Sequence, residues 1–192
     1  MSGAYRLNPH KDPNCGDGRP IFIAPPSAHF KDALITHNGD FYGGDGLDDL
    51  IVRVGGKLWM YPGDGYGAVN VTQRREILLP AGSPSPSSLS QIIATGDITG
   101  DKLPDVLAIS GDELRAFIGY TGASFSEARL ITSGTWTERD IVTVDDFNGY
   151  GTPDIWAVDA AGTMYFYTGE PDTHGSRIPA TWVNWKGTHA CG

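Results

Sequence analysis

GDITGDKLPDVLAI, residues 96–109, decides how this chain folds. It opens on an Asp that ends an apolar run, crosses a turn carrying Thr99, Gly100 and Asp101, reaches Asp105, and falls at once into a second apolar run. That is a strand, an acidic turn and another strand. The pattern recurs as GDFYGGDGLDDLIV at 39–52 and as DDFNGYGTPDIWAV at 145–158. The opening aspartates Asp40, Asp97 and Asp146 lie about 50 residues apart, a period that belongs to solenoids, propellers or arrays.

Each turn is followed by the same succession of short segments. The first unit reads DALITHNGD, DDLIVRVGG, KLWMYPGDG and VTQRREILLP, ending in the loop AGSPSPSSL. The second reads SQIIATGD, PDVLAISGD, ELRAFIGYTG and SEARLITSG, and the third ERDIVTVDD, PDIWAVDAAG, TMYFYTGEP and RIPATWVNW. Four short strands per unit is the count of a propeller blade. The second strand of each unit is nearly continuous in apolar residues, as expected where neighbouring sheets cover both faces. The third alternates, and fourth strands such as VTQRREI carry charge, so burial should fall outward. Gly55-Gly56, Ser110-Gly111 and Ala161-Gly162 stand where a tight hairpin needs positive φ. The expected fold is all-β, a β-propeller of three four-stranded antiparallel blades at about 33–85, 90–134 and 138–185, as a partial ring or with a degenerate fourth blade. Residues 1–32 read as an irregular segment or partial blade in which IFIA at 21–24 could form one strand.

Composition narrows the function. The chain of 192 residues is long enough for one domain with a core, and its 26 Gly and 13 Pro suit many turns. A net charge of -9, from 23 acidic against 14 basic residues, argues against a nucleic-acid partner, whose phosphates call for basic side chains. Cations suit it better. No run of apolar residues is long enough to insert in a membrane, and none follows Met1 as a signal peptide requires. Cys15 and Cys191 lack metal-site spacing and are either one disulfide or two free thiols. A disulfide is favoured, since so long a loop would remove on the order of 4 to 5 kcal/mol of denatured-state entropy, and it would imply an oxidising compartment.

Calcium is the cation that the turns suggest. Ca2+ takes six to eight hard oxygens in flexible geometry, and alternate residues of a tight turn can direct carboxylates and carbonyls to one centre. Without a cation, three carboxylates per turn would repel one another. An EF-hand requires Glu at the twelfth position, where Ala108 and Ala157 stand inside apolar strands. The competing reading is that Asp and Gly merely make turns.

The D-x-x-G-D-G-x-x-D turn, the apolar strand after it, the Gly-Gly hairpin and the aromatic strand ending in Tyr-x-Gly together resemble the FG-GAP or VCBS repeat, the integrin-alpha-like propeller blade of secreted bacterial proteins. The resemblance covers about residues 33–185 and implies that the turn between the first and second strands of each blade holds calcium. It implies ligands Asp97, Thr99, Asp101, the Leu103 carbonyl and Asp105 in the second copy. In the first they would be Asp40, Asp45, the Leu47 carbonyl and Asp49, with an extra glycine before Asp45 and Tyr42 in place of the usual Asp or Asn. In the third they would be Asp146, Asn148, Tyr150 and Asp154, where Tyr150 replaces a carboxylate and lowers the expected affinity.

No G-x-S-x-G elbow, H-E-x-x-H motif or phosphate loop is present, and His10, His29, His37, His174 and His189 show no ligand spacing. The chain is therefore not expected to be an enzyme. The resemblance implies a secreted binding module for a carbohydrate or protein partner. The alternative is a non-catalytic, calcium-stabilised accessory domain of a larger secreted hydrolase. Trp136, Trp182 and Trp185 could serve as a recognition platform or fill gaps between blades. Three units cannot close a ring, so further blades of a longer chain, or self-association, are expected to complete it.

Overall fold

A computed structural model describes residues 30–65, 69–149 and 152–168, with the backbone of Arg6–Leu7, Ile21–Phe22 and Arg177–Ala180. Two short strands, β1 (Arg6–Leu7) and β2 (Ile21–Phe22), pair with each other. Three four-stranded antiparallel sheets follow, each made of strands consecutive in the chain. The first contains β3 (Leu34–Thr36), β4 (Leu50–Val54), β5 (Lys57–Tyr61) and β6 (Arg75–Ile77). The second contains β7 (Leu89–Gly96), β8 (Asp105–Ser110), β9 (Glu113–Tyr120) and β10 (Phe125–Ser133). The third contains β11 (Arg139–Asp145), β12 (Asp154–Asp159), β13 (Met164–Tyr167) and β14 (Arg177–Ala180). Each strand of these three sheets matches one of the twelve expected segments, although β6 keeps only three residues of VTQRREILLP. The expected Cys15–Cys191 bond, Tyr150, Trp182 and Trp185 lie outside the described residues.

Strand alternation gives every sheet two faces, and the cross-strand register shows that the faces are used in the same order. In the first sheet Ile51 opposes Met60 and Arg53 opposes Leu58. In the second Leu107 opposes Ala116 and Ile109 opposes Leu114, and in the third Trp156 opposes Phe166 and Val158 opposes Met164. In the first two sheets this face looks toward the next sheet. Ile51, Leu58, Met60 and Ile77 pack on Ile92, Val106, Ala108 and Phe117, and Leu107, Ile109, Leu114 and Ala116 pack on Trp136, Ile141 and Ala157. Among the described residues only the middle sheet has a neighbouring sheet on each side, which is why β8 is buried from Asp105 to Ile109 while β4 and β12 are buried in part. Truncating Ile109 to Ala would open a cavity and cost about 2–5 kcal/mol.

The sheets are also joined by hydrogen bonds where their first strands bulge. The register of β7 on β8 shifts between Ala94 and Gly96. There the Ala94 N–H donates to Thr36 Oγ1 in β3 at 2.9 Å and the Gly96 N–H to the carbonyl of Asn38, just beyond β3, at 3.0 Å. The register of β11 on β12 shifts between Ile141 and Thr143. Gln91 answers from the second sheet, its Nε2 donating to the Ile141 carbonyl at 2.8 Å and its Oε1 accepting the Ile141 N–H at 2.7 Å. A bulge leaves ladder groups unpaired, and here the preceding sheet pairs them. Among the described residues no helix is long and apolar enough to cross a membrane.

Candidate functional site

The acidic turns connect β3 to β4, β7 to β8 and β11 to β12, at corresponding places in the three sheets. In the second turn the exposed Asp97 accepts the N–H groups of Gly100 at 2.7 Å and Asp101 at 3.1 Å on Oδ1, and that of Lys102 at 2.7 Å on Oδ2. Asp101 Oδ1 accepts the Leu103 N–H at 2.8 Å. Gly100 and Lys102 take positive φ, which turns these amides inward toward Asp97. The little burial Asp97 has works to raise its pKa, yet the donating N–H groups of Lys102, Gly100, Asp101 and Thr99 outweigh it and hold Asp97 below the ordinary value of 3.8.

The last aspartate of each turn has a different place. Asp49, Asp105 and Asp154 are all 0% exposed. Asp105 Oδ2 accepts the Ile98 N–H at 3.0 Å, and its Oδ1 accepts the Gly119 N–H at 2.7 Å. The carboxylate therefore ties the start of the turn to the far end of the sheet's third strand. Asp49 repeats the arrangement, taking the N–H groups of Phe41 at 2.7 Å and Tyr42 at 2.6 Å on Oδ2 and that of Gly63 at 2.9 Å on Oδ1. Asp154 Oδ2 takes the N–H groups of Phe147 at 3.0 Å and Asn148 at 3.1 Å, and Asn148 Nδ2 donates to Oδ1 at 3.0 Å. Burial pushes the pKa of Asp105 up, the N–H groups of Gly119 and Ile98 oppose the rise, and the nearby charge of Asp101 adds to it. Asp49 is likewise raised by burial, against Gly63, Phe41 and Tyr42, with the charge of Asp40 adding to the rise.

The extra glycine of the first turn is absorbed without loss of its internal bonding. Asp40 accepts N–H groups from Gly44 at 3.0 Å and Gly46 at 2.6 Å, and Asp45 Oδ1 accepts that of Leu47 at 3.0 Å. Gly43, Gly44 and Gly46 all take positive φ, which side-chain-bearing residues rarely adopt. In the third turn Asp146 Oδ1 accepts the Gly149 N–H at 2.7 Å.

Calcium fits these donor sets unequally. Among the described residues no three His, Cys, Asp or Glu side chains converge closely enough to hold a metal by themselves, so a hydroxyl and a carbonyl would have to complete a shell. The second turn has both. The Thr99 hydroxyl bonds Asp105, and Asp101 lies near enough to raise it. The Gly119 position adjoins this group, since a Cβ there would come within 2.9 Å of Asp101 Oδ2. Among the described residues no ion pair with Lys or Arg reaches Asp97, Asp101 or Asp105. The oxygens of Asp97, Thr99, Asp101, Leu103 and Asp105 are the hard donors Ca2+ prefers. In the third turn the Asn148 amide already donates to Asp154, which makes that turn the poorer fit.

Two features were missed in the sequence. The tie made by the last Asp was readable only from the equal spacing of 14 residues between Asp49 and Gly63 and between Asp105 and Gly119. The other is an aromatic group beside the third turn. Trp156 and Phe166 stack with centroids 4.8 Å apart, and Phe147, 46% exposed, stands edge-on to both at 6.4 and 6.5 Å. Trp136, expected either as a recognition platform or as a filler between blades, is 2% exposed and packs against Tyr167 at 5.2 Å, as the second of these readings has it. It fills a gap between sheets and cannot present its ring to a partner. Compared with known proteins, the chain matches no family model and no curated protein.

Proposed function

We propose that this chain is a run of calcium-stabilised β-propeller blades of the FG-GAP or VCBS kind, working outside the cell as a module that binds a carbohydrate or protein partner. The observation that carries the reading is the repeated unit: three antiparallel meanders, stacked by the same faces in the same order, each with an acidic turn between its first and second strands. Carboxylates crowded at Asp101 and Asp105, and at Asp40 and Asp49, are what a bound cation would relieve. The half-exposed rings of Phe147, Trp156 and Phe166 are the apolar surface offered to a partner.

A melt in chelator compared with one in excess Ca2+ tests the calcium part. A ligand present at 100 times its dissociation constant and binding only the folded state adds about 2.7 kcal/mol, so the melting temperature should rise with calcium, and identical melts would reject the reading. Glycan-array binding that Phe166→Ala abolishes would support the partner part. The burial of Trp136 favours the second reading, an accessory domain of a larger secreted hydrolase, to the extent that it removes one recognition residue.

A further inference from the structure

The first two acidic turns touch each other, and the contact is built from the residues that hold each turn closed. Gly39, next to Asp40, lies so close to the second turn that a Cβ on it would come within 3.1 Å of Pro104 Cβ. Pro104 precedes Asp105, and its carbonyl accepts the Tyr120 N–H at 3.1 Å. Tyr120 follows Gly119, whose N–H is held by Asp105. The Tyr120 ring returns to the first turn, meeting Phe41 at 5.4 Å between centroids, and the Phe41 N–H is itself held by Asp49. Both rings are buried. The chain of contacts thus runs from one buried carboxylate to the other with no side chain exposed to water between them.

The second and third turns share no such contact among the described bonds. Their sheets are joined at the bulge in β11, through Gln91 and Ile141, and by the packing of Ile98 near Val144 and Ile155. Residues in contact through a shared packed interface are energetically coupled, whereas separated sites behave additively. We infer that the first and second acidic turns open and close as one cooperative unit, linked through Phe41 and Tyr120. The inference goes beyond the calcium reading and does not depend on it, because the link consists of packing and backbone hydrogen bonds. If calcium binds, the same link would make occupancy of either turn favour the other.

Amide hydrogen exchange on the whole chain in chelator tests it, since local opening is read segment by segment. Asp97→Asn weakens the cap of the second turn at an exposed position and should leave the fold intact. The expected result is faster exchange, by about tenfold or more, in segments covering both the first and second turns. In a Phe41→Leu background the same substitution should speed the second turn alone. Faster exchange confined to the second turn in the parent chain would overturn the inference, and so would equal acceleration in all three turns, which would mean global loosening. Repeating the measurement in Ca2+ examines the metal reading separately, because loss of all calcium response would leave the exchange coupling in chelator as found.

Discussion

Replacing Asp105 by Ala would strip two backbone donors, the N–H groups of Ile98 and Gly119, of their acceptor in a buried place. Each unpaired donor costs about 1–3 kcal/mol, so Asp105→Ala should lower stability by about 3 kcal/mol in chelator. Asp101→Ala removes an exposed carboxylate whose only bond shown is to the Leu103 N–H, and should cost less than about 1 kcal/mol under the same conditions. Urea denaturation of the two variants measures the difference, and equal losses would mean that the last aspartate is not the tie described. Tyr120 tests the opposite case. Its hydroxyl is buried, 3% of the residue being exposed, and it has no hydrogen-bond partner among the described residues. A buried donor without a partner gains nothing from being polar, so Tyr120→Phe should be neutral or stabilising by up to about 1 kcal/mol. A clear loss of stability would show that the hydroxyl is serving some group.

At the scale of the turn, the two kinds of aspartate respond to pH in opposite ways. Asp97 is held below 3.8, so the stability it contributes is present above that value and is lost as pH falls through its lowered pKa. Asp49 and Asp105 are raised, so the folded state takes up protons before the unfolded state does, and in the metal-free protein falling pH relieves the burial of their charge. A bound cation would reverse this by requiring both as anions. Over the range from neutral pH down to the ordinary value of 3.8 the calcium-dependent rise in melting temperature should therefore shrink, while the melt in chelator holds steady or improves. A calcium increment that is the same at both ends of that range would exclude Asp49 and Asp105 as ligands. Strands and turns were legible because the alternation of Leu58, Trp59 and Met60, the run from Val106 to Ile109 and the Gly55-Gly56 hairpin are local consequences of pleat and φ. The depth of Asp49, Asp105 and Asp154 was not legible, because an Asp that bonds amides from a distant strand has the same spelling as an Asp that faces water. For Trp136 its own segment left platform and gap-filler both open, and the neighbouring sheet decides for the second.

For the molecule as a whole, the sequence leads one to expect apolar sheet left open at both ends of the stack, and the structure treats the two ends differently. The outer face of the first sheet is closed by the chain itself, with Phe30, Val69 and Val71 packed around Val52 and Tyr61. On the third sheet the outer face carries Trp156 and Phe166, both half-buried, and the exposed Phe147. In the first two turns the residue in that position, Phe41 or Ile98, packs against the following sheet. Phe147 therefore stands where the repeat has placed an inter-sheet contact twice before. The rim beside it is acidic, since the exposed Asp145 and Asp146 precede it directly in the chain. Any two such faces would attract through their rings and repel through their rims, and salt screens repulsion between exposed charges. Light scattering coupled to size exclusion is accordingly expected to show association that grows with protein concentration and with salt. Phe147→Asp should reduce it, whereas Leu78→Asp, an equally drastic change at an exposed apolar residue just beyond β6, should not. A compact monomer at every concentration and salt level would contradict self-association and leave the rings of Phe147, Trp156 and Phe166 to a different partner.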